Sequence, residues 1–544
     1  MPTTLVTDPT EQIMISVYLK RDTHDNGMTL EEYSHAVMAG TQPALDHDAF
    51  VYQFGSTDDC IKVVTDWASA NGLTIIDAHS GCATVKLLGT VDQYNNLFNI
   101  QLQTVTDGDR SYVTHNAPIT LPTDIDNVVE LIAGLDNSIS FAHNAILDPA
   151  GPAPNIDPNV ISNPTPVQLA AAYQFPVGPG GVVGQGAGMC VAIIELGGGW
   201  TTQNLTSTFG RIGLPNPTVV DVLVDGGVNN PADTGSSGEV MLDIYCVGAV
   251  VPAAKIAMYF APNSFQGFID QITTIANDVV NNPSVTSISW GTTDIYWSSS
   301  QRQAFDTALQ SCIVRGITTF VAIGDYGTQA INGAATYTVQ YPGTSPYVVS
   351  CGGTVITVNN DYTIASEIVW KTGSSYATGG GISSIYSIPS WQSGKGYSYK
   401  TYPDGIVTSL ATRGVPDVSA MATGYTIFYG APNYQGTFLG TSAVAPLLSG
   451  MMARINWLSG RRIGFVNSTW YAHADAFNDI TVGNNAAPAS VGYSGTIGWD
   501  ACTGLGSPIG TALLELANTG PVYPTNTFGS RPASGQVYPR INYN

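Results

Sequence analysis

The chain has 544 residues, of which 18 are basic and 40 acidic, so its formal net charge at pH 7 is −22. This charge argues against nucleic acid and anionic membranes as partners, because both repel a strongly acidic protein. Only 11% of the residues are charged, against about 25% in a typical soluble protein, which indicates a polar but mostly uncharged surface. Such a surface gains little positive charge in acid, so we expect the protein to tolerate low pH.

Seven cysteines are scattered without the CxxC or CxxH spacing of a metal site, and their odd number leaves at least one free thiol. We interpret them as buried free cysteines. The chain does not open with a basic segment followed by an apolar core, so the sequence predicts no signal peptide. No stretch is long and apolar enough to predict a membrane span. The length predicts at least two structural units.

The first predicted unit, residues 1–147, has the alternating strands and helices of a compact α+β domain. Strands are predicted at 13–19 and 73–79 from their apolar, β-branched composition. Helices are predicted from Ser56 to about Gly72, where Asp58 and Asp59 enrich the first turn, and again at 123–134.

Residues 148–166 combine prolines and asparagines without a periodic pattern, which predicts a linker and the region of proteolytic processing. From there, residues 167–520 alternate short apolar strands with helical segments. Continuous apolar strands with helical crossovers predict an α/β unit with a doubly wound, mostly parallel sheet, whose working residues gather at the carboxyl ends of the strands. The predicted strands are 189–196, 255–260, 285–290 and 318–323. Residues 521–544 are interpreted as an extended tail.

The segment 440–446, GTSAVAP, is typical of a serine nucleophile at the start of a helix, here one that runs to about Leu458. A serine in this position is also a common helix cap. Six of the seven histidines lie at or before His143 and the other is His473, so a Ser-His-Asp protease is disfavoured. Some other group must accept the proton of Ser442.

Glu239 and Asp243 are four residues apart in a predicted helix that follows Gly238, which places both carboxyls on one face. A solvated helix face would explain them equally well. The apolar residues around them favour a buried helix, however, and unpaired carboxylates are costly to bury. Two adjacent carboxyls can share a proton, which leaves one of them available as a general base.

Asp325 ends the predicted strand 318–323 in a turn between two glycines. An aspartate beside glycine commonly bonds its own backbone in such a turn. At the carboxyl edge of a sheet, a protonated Asp325 would instead be able to donate a hydrogen bond to an oxyanion.

With these four residues assembled, the chain resembles the sedolisin family of serine-carboxyl peptidases and, within it, the kumamolisin-like members. The match covers residues 165–518, and the unit before it resembles the activation pro-domain of the family. The motifs that carry the resemblance are AIIELGGG (192–199), EVMLD (239–243), SISWG (287–291), GGGISSIYSIPSWQ (379–392), RGVPDVS (413–419), GTSAVAP (440–446) and GWDACTGLGSPIG (498–510).

The resemblance implies a subtilisin-like α/β fold preceded by a ferredoxin-like pro-domain. It implies that Ser442 is the nucleophile and Glu239 the general base and acid. Asp243 would orient Glu239, and Asp325 would replace the oxyanion-hole asparagine of subtilisins. An acidic pH optimum follows, because an ionised Asp325 would repel the oxyanion.

Two further family positions, Glu195 and Trp290, would extend the carboxyl network, although Trp290 is equally explained as a core residue. Leu439 and Tyr326 depart from the residues that are usual in the family beside the serine and the oxyanion aspartate. Neither departure removes a reacting group, so we expect them to affect specificity more than activity.

The segments 477–485 and 495–500 resemble the single calcium site of the family. By position, two residues would supply carboxylates and three would supply backbone carbonyls, a set of oxygen ligands that suits Ca²⁺. Loops of this composition are also common simple turns. The implied ligands are Asp479, Asp500, Ile480, Thr496 and Gly498.

The expected protein is therefore an acid-active, monomeric, extracellular serine-carboxyl endopeptidase that acts on polypeptides and is made as a self-processing zymogen. Its pro-domain would act in cis as chaperone and inhibitor. The histidines of that unit would respond to acid or would be ordinary solvated residues, and the second interpretation is favoured.

Two alternatives differ in class from this expectation. One is a non-catalytic binding or structural protein that retains the peptidase fold, which is disfavoured by the retention of all four reacting side chains. The other is a Ser-Lys hydrolase. The lysines considered for it are Lys255, Lys371, Lys395 and Lys400.

Overall fold

The computed structural model describes residues 3–23, 27–108, 110–152 and 157–519. The predicted tail at 521–544 and part of the predicted linker, residues 153–156, lie outside the described residues.

The amino-terminal unit is an α+β domain with a four-stranded antiparallel sheet in the order β3-β4-β2-β7. This order and the β-α-β-β-α-β succession are those of a ferredoxin-like fold. Strands β1, β5 and β6 form a separate three-stranded sheet. The strands are β1 (Thr3–Val6), β2 (Gln12–Leu19), β3 (Thr74–His79), β4 (Thr84–Thr90), β5 (Leu102–Asp107), β6 (Arg110–His115) and β7 (Val129–Ala133). The helices are α1 (Leu30–Met38), α2 (His47–Phe54), α3 (Asp58–Ala70) and α4 (Val91–Phe98).

Local signals in the sequence account for the helix starts in this unit. The side chain of Thr57 caps α3 by accepting from the backbone N–H of Cys60, so the predicted helix begins within two residues of the predicted position. Val64, Trp67 and Ala68 recur at helical spacing and are buried against the sheet. The two strands predicted at 13–19 and 73–79 are confirmed as β2 and β3.

The helix predicted at 123–134 is wrong. Turns occupy the first half of that range, and its second half is the edge strand β7, which pairs antiparallel with β2 through Ile132 and Val17. The apolar residues fit a helical period, but several are β-branched, and pairing with an open sheet edge outweighs the local pattern.

The peptidase unit and the segment that leads into it contain the remaining elements. The helices are α5 (Pro166–Ala172), α6 (Thr202–Gly210), α7 (Thr234–Val250), α8 (Phe265–Asn277), α9 (Ser299–Val314), α10 (Val444–Ser459), α11 (Asn467–Trp470) and α12 (Gly510–Thr519). The strands are β8 (Ala142–His143), β9 (Ile146–Leu147), β10 (Val160–Ile161), β11 (Cys190–Glu195), β12 (Thr218–Leu223), β13 (Lys255–Phe260), β14 (Val285–Ile288), β15 (Trp290–Thr293), β16 (Thr318–Ala322), β17 (Gln340–Tyr341), β18 (Val349–Asn359), β19 (Ile364–Val369), β20 (Lys371–Thr372), β21 (Tyr376–Ala377), β22 (Gly381–Ser387), β23 (Ser398–Tyr402), β24 (Val407–Ser409), β25 (Thr412–Val415), β26 (Val418–Met421), β27 (Tyr425–Tyr429), β28 (Tyr434–Leu439), β29 (Phe477–Asn478), β30 (Gly492–Tyr493) and β31 (Ser507–Pro508).

The central sheet is parallel over β12-β13-β11-β14-β16-β18, with β26 also parallel to β18 and with β10 and β19 antiparallel to it. Alternate residues of β11 belong to different cores: Val191 and Ile193 pack with α7 and α10, whereas Ala192 and Ile194 pack with α8 and α9. Helices therefore cover both faces, and the predicted doubly wound α/β architecture is confirmed. The four predicted strands are β11, β13, β14 and β16.

Helix α7 begins earlier than the sequence predicts. Asp233 caps it through the backbone N–H of Ser236 at 3.3 Å, so Gly238 lies inside the helix rather than before it. Gly238 has a packing role there, because a Cβ at this position would lie 2.4 Å from the ring of Phe438 in β28.

The two units meet through buried polar contacts. Lys86 from β4 of the amino-terminal unit contacts Asp225 and lies 3.0 Å from Asp270 Oδ2 of the peptidase unit. Ser16 donates to the same Asp270 oxygen at 2.6 Å, and Tyr18 donates to its other oxygen. These contacts hold the sheet of the first unit against α8.

All seven cysteines lie within the described ranges and none takes part in a disulfide; five of them are buried, as predicted, whereas Cys60 and Cys82 are only partly buried. Among the described residues, no helix combines the length and the apolar character that crossing a bilayer would require.

Candidate active site

The carboxyl ends of three neighbouring parallel strands converge on one edge of the central sheet. Glu195 is the last residue of β11, Ser289 follows β14, and Asp325 follows β16. These strands are adjacent in the order β11-β14-β16, so their ends lie side by side. This is the edge at which parallel sheets bind and transform ligands.

Ser442 reaches this edge through a tight turn between β28 and α10. The short 3₁₀ turn Thr441–Ala443 precedes α10, so the serine lies at the amino end of the helix. Gly440 has φ of 137°, which side-chain-bearing residues rarely adopt. A Cβ on Gly440 would also lie 1.9 Å from the carbonyl oxygen of Asn144 and 2.4 Å from Asp325 Oδ2. Only glycine therefore permits this turn.

Helix α7 presents Glu239 and Asp243 to the turn that carries Ser442, and all three residues are completely buried. Ser289 Oγ lies 2.9 and 3.1 Å from the two Asp243 oxygens and 3.4 Å from the carbonyl oxygen of Ser442. Burial raises the pKa of Asp243 well above its usual range, and the adjacent carboxyl of Glu239 raises this pKa further. The two carboxyls are thus close enough to share a proton.

The reactive atoms of this cluster are left without hydrogen-bond donors. Among the described residues, no donor reaches either carboxyl oxygen of Glu239 or the hydroxyl of Ser442 with hydrogen-bond geometry. Such unsatisfied buried groups are rare in folded proteins and mark sites held ready for a ligand or a reaction.

A third buried carboxyl extends the cluster. Glu195 Oε2 accepts from the indole N–H of Trp290 at 3.0 Å, while its other oxygen has no partner among the described residues. Burial raises the pKa of Glu195 well above its usual range, and the charge of Glu239 adds to this effect. Trp290 is also 2% exposed and belongs to a hydrophobic core, so both of its predicted roles are compatible with its position.

Asp325 is held by the turn that carries the serine. Its Oδ1 accepts from the backbone N–H and from the hydroxyl of Thr441, each at 2.8 Å. Its Oδ2 is buried, has no partner among the described residues, and borders the same small space as the carbonyl oxygen of Asn144. Burial raises the pKa of Asp325 well above its usual range, although the Thr441 hydrogen bonds lower it. A protonated Oδ2 would therefore face that space as a donor.

Residues 141–148, which we call the cleft segment, run across this site. His143 pairs with Trp290, and Ile146 pairs with Leu439. His143 Nδ1 lies 3.3 Å from Glu239 Oε2. Burial lowers the pKa of His143, but the nearby negative charge of Glu239 outweighs burial, and the net effect is a raised pKa.

The structure brings together all six predicted site residues, and sequence reasoning missed three others. Ser289 lies inside the motif SISWG, so its place in that motif was an available signal. Asn144 and its partner Gln340 are 196 residues apart and belong to no motif that the sequence analysis identified. Of the two positions at which the chain departs from the family, Leu439 lines the cleft opposite Ile146, and the ring of Tyr326 packs on Tyr376.

The candidate calcium ligands lie in two loops that the structure brings together. Asp479 Oδ2 accepts from the N–H of Gly498 at 2.9 Å, and Asp500 Oδ2 accepts from the N–H of Thr496 at 3.1 Å. The carbonyl oxygen of Ile480 points to the same loop, 3.0 Å from where a Cβ of Gly495 would lie. Burial raises the pKa of Asp500 to about 7. Two carboxylates and a carbonyl at one loop junction are a donor set that fits a hard cation.

None of the lysines considered for a Ser-Lys hydrolase is placed at the site. Lys255 begins β13, at the opposite edge of the parallel sheet from Ser442, and donates to the carbonyl of Val280 at 3.4 Å. The other three are exposed.

Comparison with known proteins relates both units to peptidases. Residues 6–138 match the family described as "Pro-kumamolisin, activation domain", and residues 228–462 match the "Subtilase family". Kumamolisin from Bacillus sp. (strain MN-32) is 37% identical over 521 residues, which covers 93% of this chain and 91% of that protein. Sedolisin from Pseudomonas sp. (strain 101) is 26% identical over 509 residues, which covers 88% of this chain and 81% of that protein.

A solved structure supports the same relation for the peptidase unit. The structure of Pseudomonas sedolisin, described as a serine-carboxyl proteinase complexed with two molecules of pseudo-iodotyrostatin, superposes with a TM-score of 0.56 at 25% identity. The superposition covers 65% of this chain and 97% of that chain. The chain therefore belongs to the sedolisin family of serine-carboxyl peptidases, among its kumamolisin-like members, and carries an amino-terminal activation domain.

Proposed function

We propose that this protein is an acid-active endopeptidase that cleaves polypeptides through an acyl-enzyme on Ser442. The observation that carries the proposal is the buried cluster in which Ser442 and Glu239 have no hydrogen-bond donor while Asp243 and Asp325 have raised pKa values. A purely structural cluster would be expected to satisfy these groups.

In the proposed acylation step, Ser442 Oγ attacks the carbonyl carbon of the substrate and its proton passes to Glu239. Asp243 acts on Glu239 rather than on the substrate, because a proton shared between the two carboxyls keeps Glu239 able to accept another. Ser289 fixes Asp243 through the hydroxyl that lies 2.9 Å from Oδ2. Glu195, which is held by the indole N–H of Trp290, extends the carboxyl cluster beside Glu239.

The oxyanion of the tetrahedral intermediate would be stabilised by two donors. One is the backbone N–H of Ser442, which already donates to a carbonyl oxygen in the cleft at 3.3 Å. The other is the protonated carboxyl of Asp325. Glu239 then returns its proton to the leaving amine, and a water molecule, deprotonated by the same carboxylate, hydrolyses the ester.

Acidic operation follows from the charge that each group must have. Asp325 donates only while protonated, so activity is lost as the pH rises through its raised pKa. We therefore expect the rate to be highest in acid and to fall towards neutral pH.

A single structural calcium ion completes the proposal. Asp479 and Asp500 would hold it through carboxylates, and Ile480, Thr496 and Gly498 through backbone carbonyls. The bound ion would supply positive charge that neutralises the buried carboxylate of Asp500 and ties the two loops together.

The amino-terminal unit is proposed to fold with the peptidase unit and to block its cleft until acid triggers self-processing. The contacts of Lys86 with Asp225 and Asp270 and the position of the cleft segment support this inhibitory role. We further propose that the enzyme works as an extracellular monomer.

The test compares the wild-type chain with Ser442→Ala for cleavage of acid-denatured protein between about pH 2 and 7, a range that brackets carboxyl titration. The wild type should cleave in acid and lose activity towards neutral pH, whereas Ser442→Ala should be inactive throughout. Wild-type protein that folds but cleaves nothing at any pH would favour the non-catalytic alternative.

A further inference from the structure

The cleft segment lies across the candidate active site as an extended chain that pairs with both walls. On one side of Asn144, Ala142 and His143 pair antiparallel with Gly291 and Trp290. On its other side, the strand β9 pairs antiparallel with the end of β28. The hydrogen bonds continue to Asp148, whose N–H donates to the carbonyl of Thr437 at 2.8 Å. Extended pairing on both sides of a reaction centre is how peptidases hold a substrate backbone.

Asn144 occupies the position of the residue whose carbonyl would react. Its carbonyl oxygen accepts from the backbone N–H of Ser442 at 3.3 Å and borders the same space as Asp325 Oδ2. Its own N–H donates to the carbonyl of Ser289 at 3.1 Å. The carbonyl of Asn144 therefore lies between the two proposed oxyanion donors, and its backbone is fixed on the amino side.

The side chain of Asn144 is recognised by a single partner. Its amide N–H donates to Gln340 Oε1 at 2.7 Å, and Gln340 Nε2 donates back to Asn144 Oδ1 at 3.1 Å. Gln340 also donates to the carbonyl of Ala330 at 3.3 Å, which holds its amide in place. Both side chains are nearly fully buried. A buried amide pair of this kind discriminates against a side chain that cannot hydrogen-bond, because the partner would be left unsatisfied.

Neighbouring residues of the segment are also fitted to the cleft. The ring of His143 packs edge-on against Trp290, with 5.2 Å between the ring centroids. Phe141 lies in an aromatic pocket against Phe268 and Trp297, and its backbone N–H and C=O both bond to Asn263. The segment is thus bound by side chains and backbone together.

We propose that Asn144–Ala145 is the bond at which the chain first cleaves itself, and that Gln340 selects asparagine at this position. The proposal rests on the peptidase function proposed above. Ser442 Oγ bonds to the carbonyl carbon of Asn144 and gives its proton to Glu239. The C–N bond to Ala145 then breaks as Glu239 protonates the new amine. One water hydrolyses the ester, leaving a carboxyl group on Asn144 and a free hydroxyl on Ser442.

This bond lies before the 148–166 region in which the composition of the sequence predicts processing. Within that region, Val160 pairs with Asn359 at the end of β18, whereas Thr441, next to the serine, lies beside Gly353 of the same strand. The exposure of the linker alone would favour a first cut within residues 148–166. The alignment of the Asn144 carbonyl with Ser442 instead favours a first cut at Asn144–Ala145.

The first experiment identifies the termini that appear when the full-length chain is acidified. Mass spectrometry should detect, as the earliest products, a fragment that ends at Asn144 and one that begins at Ala145, and Ser442→Ala should remain intact. Digestion of a denatured protein is measured on the same samples. A first cut elsewhere, including within 148–166, by a chain that digests the denatured protein would overturn this inference alone. A chain that cleaves neither itself nor the denatured protein would overturn the proposed function as well.

Two matched variants test the role of the asparagine in self-processing. Asn144→Leu should slow the first cut about tenfold, because Gln340 loses its partner in a buried site. Asn159→Leu makes the same change at an exposed position of the predicted linker and should leave the rate unchanged. Equal rates for the two variants would overturn selection at Asn144.

The role of Gln340 is tested with two peptides. The measured quantity is the ratio of their kcat/KM values, which does not depend on the fraction of enzyme that is folded. The processed enzyme is given the eight-residue peptide of 141–148 and the same peptide with leucine in place of asparagine. The wild type should prefer the asparagine peptide about tenfold in kcat/KM, and Gln340→Met should lose this preference. An unchanged ratio in Gln340→Met would show that Gln340 does not select the residue.

Discussion

Asp417 and Asp325 are both completely buried in the peptidase unit, but their surroundings differ in kind. Asp417 receives two charge-assisted hydrogen bonds from Arg413, each at 2.7 Å. It also accepts from Tyr471, from the N–H of Ser350 and from Asn467. Asp325 accepts only from Thr441, and its second oxygen has no partner among the described residues.

This difference separates carboxyls that maintain the fold from carboxyls that are available for chemistry. A buried charge that is paired and fully hydrogen-bonded is stable in one protonation state. Buried carboxyls without an Arg or Lys partner among the described residues, such as Asp243 and Glu195, have raised pKa values because burial disfavours their charged form. Both classes occur in motifs that resemble the sedolisin family, so motif membership alone does not distinguish them, whereas hydrogen-bond satisfaction does.

The largest expected effect is on Glu239. Glu239→Gln should reduce kcat/KM on denatured protein by about 10⁴-fold, because an amide cannot accept the serine proton. The free energy of unfolding should stay the same or increase, because the change removes the repulsion of Glu239 with Asp243 and Glu195 together with its contact to His143. Activity is followed on denatured protein in acid, and stability by urea unfolding.

A matched control is Glu367→Gln, which alters a partly buried glutamate outside the site. Glu367 accepts from Tyr173, Thr354 and Ser507 at 2.6 to 2.7 Å. Its replacement should lower stability and leave the turnover of the folded enzyme close to that of the wild type. If Glu239→Gln behaved like Glu367→Gln, the proposed general base would be wrong.

The second prediction tests the structural role of Asp417, the buried carboxyl that is fully hydrogen-bonded. Arg413→Met leaves Asp417 buried without its cation, and removing one partner of such a pair typically costs about 3 to 5 kcal/mol of the free energy of unfolding. Urea unfolding of Arg413→Met and of Lys62→Met measures the difference, because Lys62 pairs with Asp66 on the surface. The surface variant should change little. Equal losses in both variants would contradict the structural role of the buried pair.

The third prediction concerns the dependence of activity on pH that is expected from Asp325, a buried carboxyl with one oxygen that lacks a hydrogen-bond partner among the described residues. Asp325→Asn places an amide N–H where the protonated Oδ2 lies and keeps the acceptor for Thr441. The wild type should lose activity as the pH rises through the raised pKa of Asp325, and Asp325→Asn should lose it only at higher pH. The measurement is the profile of kcat/KM against pH.

Asp325→Ala, which has no donor at any pH, provides the comparison for that profile. It should lower kcat about 10²- to 10³-fold throughout the range, as the loss of an oxyanion donor does in other serine peptidases. A profile of Asp325→Asn that coincides with that of the wild type would show that Asp325 does not set the upper limit.

The smallest expected effect belongs to Asp500, a buried carboxyl that lies between the two classes. It accepts backbone N–H donors, yet its pKa is raised from 3.8 to about 7. A carboxyl with a raised pKa binds its proton more tightly in the folded state, so without an ion stability should fall as the pH rises from about 4 to about 7. Calcium at about 100 times its Kd should restore about 2.7 kcal/mol.

The measurement for Asp500 is the melting temperature between pH 4 and 7, with calcium and with a chelator. Asp479→Ala should weaken the response to calcium, while Asp475→Ala, an exposed change nearby, should not. A melting temperature that is indifferent to both calcium and chelator would remove the ion from the proposal.

The sequence was sufficient to predict the parallel strands and six candidate residues that the structure brings together, because each lies in a short motif or at the end of an apolar strand. It was insufficient for β7, whose apolar residues fit a helical period but pair with a sheet edge contributed by β2. It was also insufficient for Asn144 and Gln340, since their contact depends on how two distant segments meet and leaves no local pattern. Asp325 and Asp417 differ in how many hydrogen bonds their carboxyl oxygens accept. That difference depends on residues distant in the sequence and is visible only in the three-dimensional structure.

Because the cleft segment pairs with both walls of the cleft, the activity of the cleaved enzyme should depend on how far it is diluted. While the segment is tethered to both units, it competes with substrate at an effective concentration that is typically millimolar for short connections and does not depend on the amount of enzyme. Once the chain is cut, the amino-terminal unit binds as a separate molecule, and its occupancy of the cleft falls as the mixture is diluted. Transfer into a larger volume would then complete an activation that cleavage only begins.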